Sequence, residues 1–325
     1  MPSQPCASNA SGEQWFDWLK DTHDFLELGR KGWTPKDRKS RVKIAILDTG
    51  LDMTHPQIKK FSDDEQILDP FDFVEDSAEM KDTDGHGTHV THLLFKTAPF
   101  VKVYPARVFE HSEADANTSS LIAKAIRRAV EVCEVNIISM SFAFDGEIPE
   151  IQEAIRYAVF KNVLLFAAAS NNNGNKMIPI GYPARVKDLI ICINSSSSQN
   201  QRSTFSPSGR KDRKNFSVVG EGLEAAWAPT QGLMVRNGTS CATPIGAGIA
   251  ALVIEYSRQK LPPRIEKAKD LFTTAGMNNV LFECMTERRT GTEYNYIKPW
   301  MLFHSRAEPS EVSMRINKAL LEVNF

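Results

Sequence analysis

The chain contains few cysteines, and their spacing follows no recognisable pattern. Five cysteines are distributed over 325 residues without any CxxC pair: Cys6, Cys133, Cys192, Cys241 and Cys284. An odd number at such wide spacing is not typical of a disulfide framework. We therefore expect reduced thiols and an intracellular location.

The sequence also lacks a long apolar run and a dominant charge. No continuous apolar stretch reaches the roughly 18 residues of a membrane-spanning helix, and residues 1–30 have neither the basic start nor the apolar stretch of a secretory signal. The formal net charge is −1, so no large basic field is present to attract nucleic acid. The basic segment 30–41 is interpreted as a solvated linker. We expect neither a membrane nor a nucleic-acid partner.

Alternating strand and helix patterns begin at residue 41. Short apolar runs bounded by turn residues predict strands at 42–47, 101–109, 135–142, 163–169 and 189–193. Periodic stretches predict helices at 119–133, 147–160 and about 240–259. Strands that alternate with such helices pair in parallel, and continuously apolar strands are covered on both faces. The pattern predicts an α/β fold: a three-layer, doubly wound, mostly parallel sheet with helices on both faces.

The two ends of the chain differ from this central region. Residues 1–40 predict one amphipathic helix and then the basic linker, with apolar residues at helical spacing: Trp15, Trp18, Leu19, Phe25 and Leu26. After about residue 260 the alternation weakens, and helices are expected near 264–273 and 311–323. We therefore divide the chain into residues 1–40, a main domain at 41–260, and a helical extension at 261–325 that packs on it. The run Ser195–Ser198 is expected to be a loop.

The triplet Asp48-Thr49-Gly50 follows the first predicted strand and has three interpretations. Its residue types are common in turns. The same triplet is the catalytic triplet of aspartic proteases, and it also suits a buried carboxylate that orients a histidine. An aspartic protease needs a second such triplet, because two carboxylates share one proton. The nearest candidate, Asp82–Gly85, contains an additional aspartate. The aspartic-protease interpretation is therefore disfavoured.

Three histidines follow at intervals of three residues in the segment 82–92. A helix turns by about 100° per residue, so His86 and His92 would be about 240° apart and could not share one metal ion. The zincin motif also requires a glutamate after its first histidine, where this chain has Gly87. We therefore expect no metal site here. The glycines on either side of His86 permit a close approach of backbone and substrate.

The segment Asn237–Pro244 opens the long helix and contains Ser240. A serine at a helix N-terminus is most often a cap. The backbone N–H of Ser240, however, belongs to the unpaired first turn and can face a developing negative charge. Asp48, His86 and Ser240 also occur in one of the chain orders known for Ser-His-Asp triads.

With these motifs the sequence resembles the subtilisin-like serine proteases, the subtilases. The resemblance covers about residues 41–260 and depends on six segments in the family's order: AILDTGLDMTHP, DGHGTHV, SMSFA, AAASNNN, IGYPA and NGTSCATP. It implies a subtilisin-like catalytic domain that hydrolyses peptide bonds as a serine endopeptidase. The implied partners are protein or peptide substrates, and no cofactor is implied.

The resemblance also implies roles for individual residues. Ser240 corresponds to the nucleophile, His86 to the general base and acid, and Asp48 to the carboxylate that orients the imidazole, with Thr49 as its hydrogen-bond partner. The side-chain amide of Asn171 and the N–H of Ser240 correspond to the oxyanion hole.

Two further groups correspond to substrate-binding residues of the family. The first pairs with the substrate backbone by strand addition and consists of Ser141, Phe142 and Ala143. The second lines the pocket for the side chain before the scissile bond and consists of Ala169, Ser170 and Gly181. Because Gly181 has no side chain, we expect this pocket to prefer large apolar or aromatic residues.

Several positions depart from the family's pattern. Thr91 and His92 replace small residues, and Ala143 replaces a glycine. The loop that holds calcium in many subtilases is missing between His92 and Thr97, so we expect no calcium site there. Two alternatives to the peptidase are a weakly active or inactive subtilase fold that binds proteins, and an esterase with the same triad. A longer parent protein with additional domains is also compatible with the sequence.

Overall fold

The computed structural model describes residues 11–31, 40–111, 117–172, 180–260, 264–287 and 293–322. The strands in these residues are β1 Lys43–Asp48, β2 Phe71–Asp72, β3 Lys102–Arg107, β4 Ile137–Met140, β5 Leu164–Ala168, β6 Ile191–Ser196, β7 Phe216–Val219, β8 Leu223–Trp227, β9 Gly232–Arg236, β10 Thr286–Glu287 and β11 Asn295–Ile297. The α-helices are α1 Ser11–Arg30, α2 Pro56–Asp63, α3 His86–Thr97, α4 Thr118–Glu131, α5 Pro149–Phe160, α6 Thr239–Arg258, α7 Thr274–Met285 and α8 Pro309–Leu321.

The described strands form one large sheet and one hairpin. The large sheet has the order β10-β11-β7-β6-β5-β4-β1-β3-β2, and β8 pairs with β9 in the separate hairpin. Every neighbouring pair in the large sheet is parallel except β10 and β11. Helices α1, α3 and α6 cover one face, and α4 and α5 cover the other. The predicted three-layer, mostly parallel α/β fold is confirmed.

Alternating side chains of each central strand enter different cores. In β1, Ile44 and Ile46 belong to the core that contains α3 and α6, whereas Ala45 and Leu47 belong to the core of α4 and α5. All four side chains are at most 3% exposed. A strand with both faces buried must be continuously apolar, which explains the run that the sequence shows there.

Helix α6 crosses the centre of the domain. Its small residues allow close packing, because a Cβ on Gly246 would lie 2.9 Å from Ile193 Cδ1 and one on Gly248 would lie 2.8 Å from Thr97 Cγ2. By length and composition α6 could cross a membrane, although the sequence shows no continuous apolar run of that length. Inside this domain 94% of its most apolar window is buried, so the apolar surface serves the core.

Helix α1 has the predicted apolar face. Trp15, Leu19, Phe25 and Leu26 are buried, whereas Trp18 is 38% exposed. Arg30 was assigned to the solvated linker, and the structure corrects this. It is the last residue of α1, is buried, and its Nε donates a 2.5 Å hydrogen bond to Glu255 on α6. Residues 32–39 of the predicted linker lie outside the described residues.

Two predictions on secondary structure were wrong. Ser195 and Ser196 belong to β6 rather than to a loop. The buried Ser195 hydroxyl is satisfied within the domain by a 2.8 Å hydrogen bond with Ser203 Oγ. After residue 260 the described chain is not only helical. It contains α7, which the sequence did not predict, and a strand, β11, that extends the main sheet beside β7.

Candidate active site

Polar residues from three neighbouring strands meet at the carboxyl edge of the sheet. Asp48 ends β1, Ser141 follows β4, and Asn171 follows β5 shortly after its end. His86 is the first residue of α3, and Ser240 is the second residue of α6. All five line one cavity of about 390 Å³. Ligands of parallel α/β sheets bind at this edge.

Asp48 and His86 form a tight pair. The Nδ1–H of His86 donates to Asp48 Oδ1 over 2.7 Å, and the two side chains are 17% and 4% exposed. The bond holds the proton on Nδ1 and leaves Nε2 unprotonated in the neutral ring. Burial favours the neutral imidazole, but the charge and hydrogen bond of Asp48, with the charge of Asp84, outweigh it. The pKa of His86 is therefore raised above its usual 6.5.

Thr49 is a hydrogen-bond partner of Asp48, as expected. The bond comes from its backbone N–H, which donates to Asp48 Oδ1 over 2.8 Å. The Thr49 hydroxyl instead donates to Asp82 Oδ1 over 2.9 Å and accepts a bond from the Gly87 N–H. The hydroxyl thus ties the β1 turn to the start of α3, because its partners lie more than thirty residues away along the chain.

Asp82 holds the start of α3 against the turn after β1, a role that the sequence motifs did not predict. Its carboxylate accepts bonds from the N–H groups of Gly85 and Thr88, from the Thr88 hydroxyl and from the Thr49 hydroxyl, all within 2.7–2.9 Å. A carboxylate at a helix N-terminus satisfies unpaired donors and complements the helix dipole. The position of Asp82 just before the start of α3 is the sequence signal from which this role could have been predicted.

The backbone carbonyl of Ser240 accepts a hydrogen bond from the predicted substrate segment, because Pro244 leaves this carbonyl without its usual helical partner. Pro244 has no N–H, so it cannot donate to the carbonyl four residues earlier, which is that of Ser240. The Ser141 hydroxyl donates to this carbonyl instead, over 2.8 Å. The segment that starts at Ser141 is therefore anchored to the first turn of α6.

Asn171, Gly238 and Ser240 surround one small space. Thr239 donates from its N–H and its hydroxyl to Asn171 Oδ1 over 2.8 and 3.1 Å, which orients the carboxamide. A Cβ on Gly238 would lie 2.8 Å from Ser240 Oγ, 3.3 Å from Asn171 Nδ2 and 3.6 Å from the Ser240 nitrogen. A glycine keeps this space open between two N–H donors and a hydroxyl, which is the geometry that a developing oxyanion needs.

Cys241 also lines the cavity, and it is not an activated thiol. Burial is the main cause of the raised pKa of the Cys241 thiol, which is about 12. The side chain is 2% exposed. A thiol must lose its proton to act as a nucleophile, so the site favours chemistry at the Ser240 hydroxyl.

The predicted substrate segment forms one wall of the cavity. Ser141, Phe142 and Ala143 all line it, and Phe142 packs edge-on against Phe109 with a centroid distance of 5.1 Å. Just beyond it, Phe144 and Tyr182 exchange two backbone hydrogen bonds of 2.7 and 2.8 Å. The wall is therefore braced by the segment that contains Gly181.

The expected pocket residues divide into two groups. Ser170 lines the cavity, with a positive φ of 136° that a non-glycine residue rarely adopts. Ala169 and Gly181 are buried behind the wall, where the Gly181 N–H donates to Ala169 O over 2.7 Å. A Cβ on Gly181 would lie 2.5 Å from the Ala143 methyl. The face of Gly181 is thus already filled, which removes the reason for expecting large side chains in this pocket.

His89 and His92 are structural residues. His89 Nε2–H donates to Met234 O and Leu223 O over 3.1 and 3.3 Å, and His92 Nδ1 accepts from the Ala226 N–H over 3.0 Å. Both attach α3 to the β8–β9 hairpin. Burial is the main cause of their lowered pKa values, about 4 for His89 and about 3 for His92. The described residues contain no group of three His, Cys, Asp or Glu side chains that could hold a metal ion.

Comparison with known proteins identifies the family. The model of the subtilase family matches residues 39–291, about three quarters of the chain. The chain belongs to the subtilase family. This is a family of serine endopeptidases, whose substrates are proteins or peptides. The match extends beyond the predicted limit at residue 260 and includes β10 of the main sheet.

Curated subtilases from bacteria and fungi are similar over most of the chain. The Major intracellular serine protease of Bacillus subtilis (strain 168) is 27% identical over 252 residues, which cover 73% of this chain and 76% of that protein. The Subtilisin-like protease het-Q2 of Podospora anserina is 28% identical over 300 residues, covering 77% and 81%. The crystal structure of a cold adapted subtilisin-like serine proteinase has the same fold, with a TM-score of 0.64, 23% identity, and coverage of 79% of this chain and 88% of that one.

Proposed function

We propose that this subtilase is a serine endopeptidase in which Asp48, His86 and Ser240 act as a triad. The observation that supports this most strongly is the single cavity that contains the Asp48–His86 pair, the Ser240 hydroxyl and the Asn171 amide. The buried, protonated thiol of Cys241 leaves Ser240 as the better nucleophile.

In this proposal His86 moves the proton twice. Its Nε2 takes the proton from Ser240 as the oxygen attacks the substrate carbonyl, and the carboxylate of Asp48 stabilises the resulting imidazolium. His86 then gives this proton to the leaving amine, and an acyl-enzyme remains. Water, activated by the same Nε2, hydrolyses the ester and restores the serine.

The oxyanion of each tetrahedral intermediate would lie in the space beside Gly238. The Ser240 N–H and Asn171 Nδ2 are the two donors that face this space. Because Thr239 holds the Asn171 oxygen, the amide nitrogen is directed before substrate binds. A donor placed in advance stabilises the transition state by about 3–4 kcal/mol.

The side chain before the scissile bond would be apolar and of limited size. The aromatic residues Phe109, Phe142 and Phe144 line the cavity, and the methyl of Ala143 fills the face of Gly181. Replacing Ala143 by glycine is expected to shift cleavage of a peptide library towards larger apolar residues at this position. An unchanged library profile would refute the role of Ala143 in limiting size.

A fluorophosphonate probe with peptide mapping tests the nucleophile. The wild-type chain is expected to carry the probe on Ser240, whereas Ser240→Ala loses the label and about 10⁶-fold of its casein cleavage. Cys241→Ser is the matched control at the adjacent position, and it is expected to keep both the label and the activity. Casein cleavage by Ser240→Ala at the wild-type rate would refute the triad.

The main alternative is a subtilase fold that binds proteins without cleaving them. An inactive fold leaves its serine unactivated, so the probe would label neither the wild-type chain nor Cys241→Ser. An esterase with the same triad would be labelled but would cleave only small esters. The braced wall that begins at Ser141 favours a peptide substrate over a small ester.

The same proposal includes an intracellular location. The similar protein from Bacillus subtilis is named an intracellular protease, and the cysteines in the described residues are free and buried. Cell fractionation followed by immunoblotting tests this, and recovery of the protein from the culture medium would contradict it.

A further inference from the structure

Arg236 is a charged residue in the active-site cavity to which the proposed mechanism assigns no role. It is the last residue of β9, is exposed, and lines the cavity together with His86 and Ser240. The other charged side chain of the wall, Asp48, is engaged with His86. In the part of the chain that the structure describes, no carboxylate lies within ion-pair distance of Arg236. Among the described residues, Arg236 is therefore the charged group of the cavity wall that has no ion-pair partner.

The position of Arg236 is held by packing rather than by an ion pair. Its guanidinium lies over the indole ring of Trp227, 5.0 Å from the ring centroid. Trp227 is only 9% exposed and packs against the residue before the catalytic histidine, since a Cβ on Gly85 would lie 2.7 Å from Trp227 Cε2. A guanidinium stacked on a fixed aromatic ring keeps its N–H donors available at the ring edge.

This packing places Arg236 on the side of the site where the leaving group must lie. His86 protonates the departing amine, so the substrate residues after the scissile bond lie beside His86. The wall that begins at Ser141 would hold the residues before the bond. Contact through Trp227 and Gly85 joins Arg236 to the His86 side, and the charge of Arg236 opposes protonation of His86, in agreement with this proximity.

We propose that Arg236 makes this subtilase selective for substrates with an acidic side chain shortly after the cleaved bond. This inference depends on the proposed peptidase function. A carboxylate at that position would meet an arginine that has no ion-pair partner among the described residues, so the contact breaks none of the ion pairs seen there. A lysine or arginine there would be repelled by the same charge.

Quenched fluorescent peptides that differ at one residue measure this selectivity. Glu, Gln or Lys is placed in turn at each of the first three positions after the scissile bond, and kcat/KM is measured for each peptide. We expect the wild-type enzyme to prefer Glu over Lys by about tenfold at one of these positions, because attraction and repulsion each contribute a few-fold. The preference should shrink in 1 M salt, where the screening length falls to about 3 Å.

Charge reversal at Arg236 gives the decisive comparison. Arg236→Glu is expected to reverse the Glu-to-Lys ratio, and Arg236→Gln to bring it close to one. Arg127→Glu is the control, because it makes the same change of net charge at a partly exposed residue of α4, where Arg127 pairs with Glu153. The ratio is internal to each enzyme, so a general loss of activity does not affect it.

The outcomes separate this inference from the proposed function. A Glu-to-Lys ratio that Arg236→Glu leaves unchanged, or that Arg127→Glu alters equally, overturns the role of Arg236. Labelling of Ser240 by the probe would in that case still support the proposed peptidase function. Absence of both probe labelling and cleavage overturns the peptidase, and the inference with it. Reversal in Arg236→Glu alone establishes the selectivity.

Discussion

His86 and His92 lie six residues apart on helix α3 and have opposite properties. His86 begins the helix, borders the cavity and donates to a carboxylate, so its pKa is raised. His92 lies in the middle of the helix and accepts a hydrogen bond from a backbone N–H. Its side chain is 7% exposed, and this burial is the main cause of its lowered pKa of about 3. The same side chain is thus the proposed proton carrier at one position and, at neutral pH, an uncharged acceptor at the other. The surroundings, and not the residue type, decide the role.

Removing each histidine in turn is the most direct way to break this comparison. His86→Ala is expected to lower kcat/KM for a peptide substrate by about 10⁶-fold, because members of a triad act as a unit. His92→Asn should retain most of the activity, since an amide oxygen can replace Nδ1 as the acceptor for the Ala226 N–H. Activity assays on both purified variants provide the measurement. Comparable losses in the two variants would show that the distinction between these histidines is wrong.

The pH dependence of activity follows the raised pKa of His86. The imidazole must be neutral to accept the serine proton, so kcat/KM should fall about tenfold per pH unit below that pKa. Because Asp48 raises the pKa, the midpoint of the rise is expected above 6.5. A pH–rate profile with a neutral peptide measures it. A profile that is flat from pH 4 upwards would exclude His86 as the general base.

The same three histidines should affect stability in opposite directions. Folding raises the pKa of His86, so its contribution is fully present below pH 6.5 and is lost as the pH rises through the folded pKa. Folding lowers the pKa values of His89 and His92 to about 4 and 3. Their neutral forms favour the folded state above pH 6.5, and this advantage is lost as the pH falls from 6.5 towards 3. Urea unfolding at pH 4 to 7 should show stability that rises with pH in wild type and rises less in His92→Asn.

Removing the hydrogen-bond acceptor at His92 tests how much this histidine contributes to stability. His92→Ala leaves the buried Ala226 N–H without a partner, which costs about 1–3 kcal/mol of unfolding free energy. His92→Asn restores an acceptor and should recover part of this loss. Chemical denaturation with a constant m-value measures both. Equal stability of the alanine and asparagine variants would mean that the hydrogen bond to the hairpin contributes little.

The stability of the protein is expected not to depend on calcium at the last turns of α3. The helix continues without interruption from His86 to Thr97, and Lys96 Nζ donates to Glu13 Oε1 over 2.6 Å in its last turn. A cation and a continuous helix leave no set of oxygen ligands there. Thermal melts in excess chelator and in millimolar calcium should differ at most by a small shift. A calcium ion at about 100 times its dissociation constant would add about 2.7 kcal/mol, and a shift of that size that disappears in variants of residues 92–97 would contradict the prediction.

The sequence alone determined the α/β layers and the principal candidate residues. Strand and helix periods are local properties, so β1, α4, α5 and α6 were predicted within a few residues of their observed bounds. Asp48, His86 and Ser240 stand in short motifs whose order is itself informative, and the structure brings them to one cavity. The strand at Ser195 was predicted to be a loop, because the sequence does not show that Ser203 satisfies its hydroxyl. Helix α7, whose apolar residues are buried in the core, was not predicted.

Tertiary structure alone decided how these residues are supported. The Thr49 hydroxyl bonds to Asp82 rather than Asp48, and the Ala143 methyl fills the face of Gly181. Trp227, the ring over which the Arg236 guanidinium lies, packs against Gly85 beside His86. Each of these contacts joins segments that are far apart in the chain, and hydrogen bonding and burial depend on neighbours that no local pattern specifies. For the same physical reason, equal spacing along α3 could not reveal that one histidine has a raised pKa and two have lowered ones.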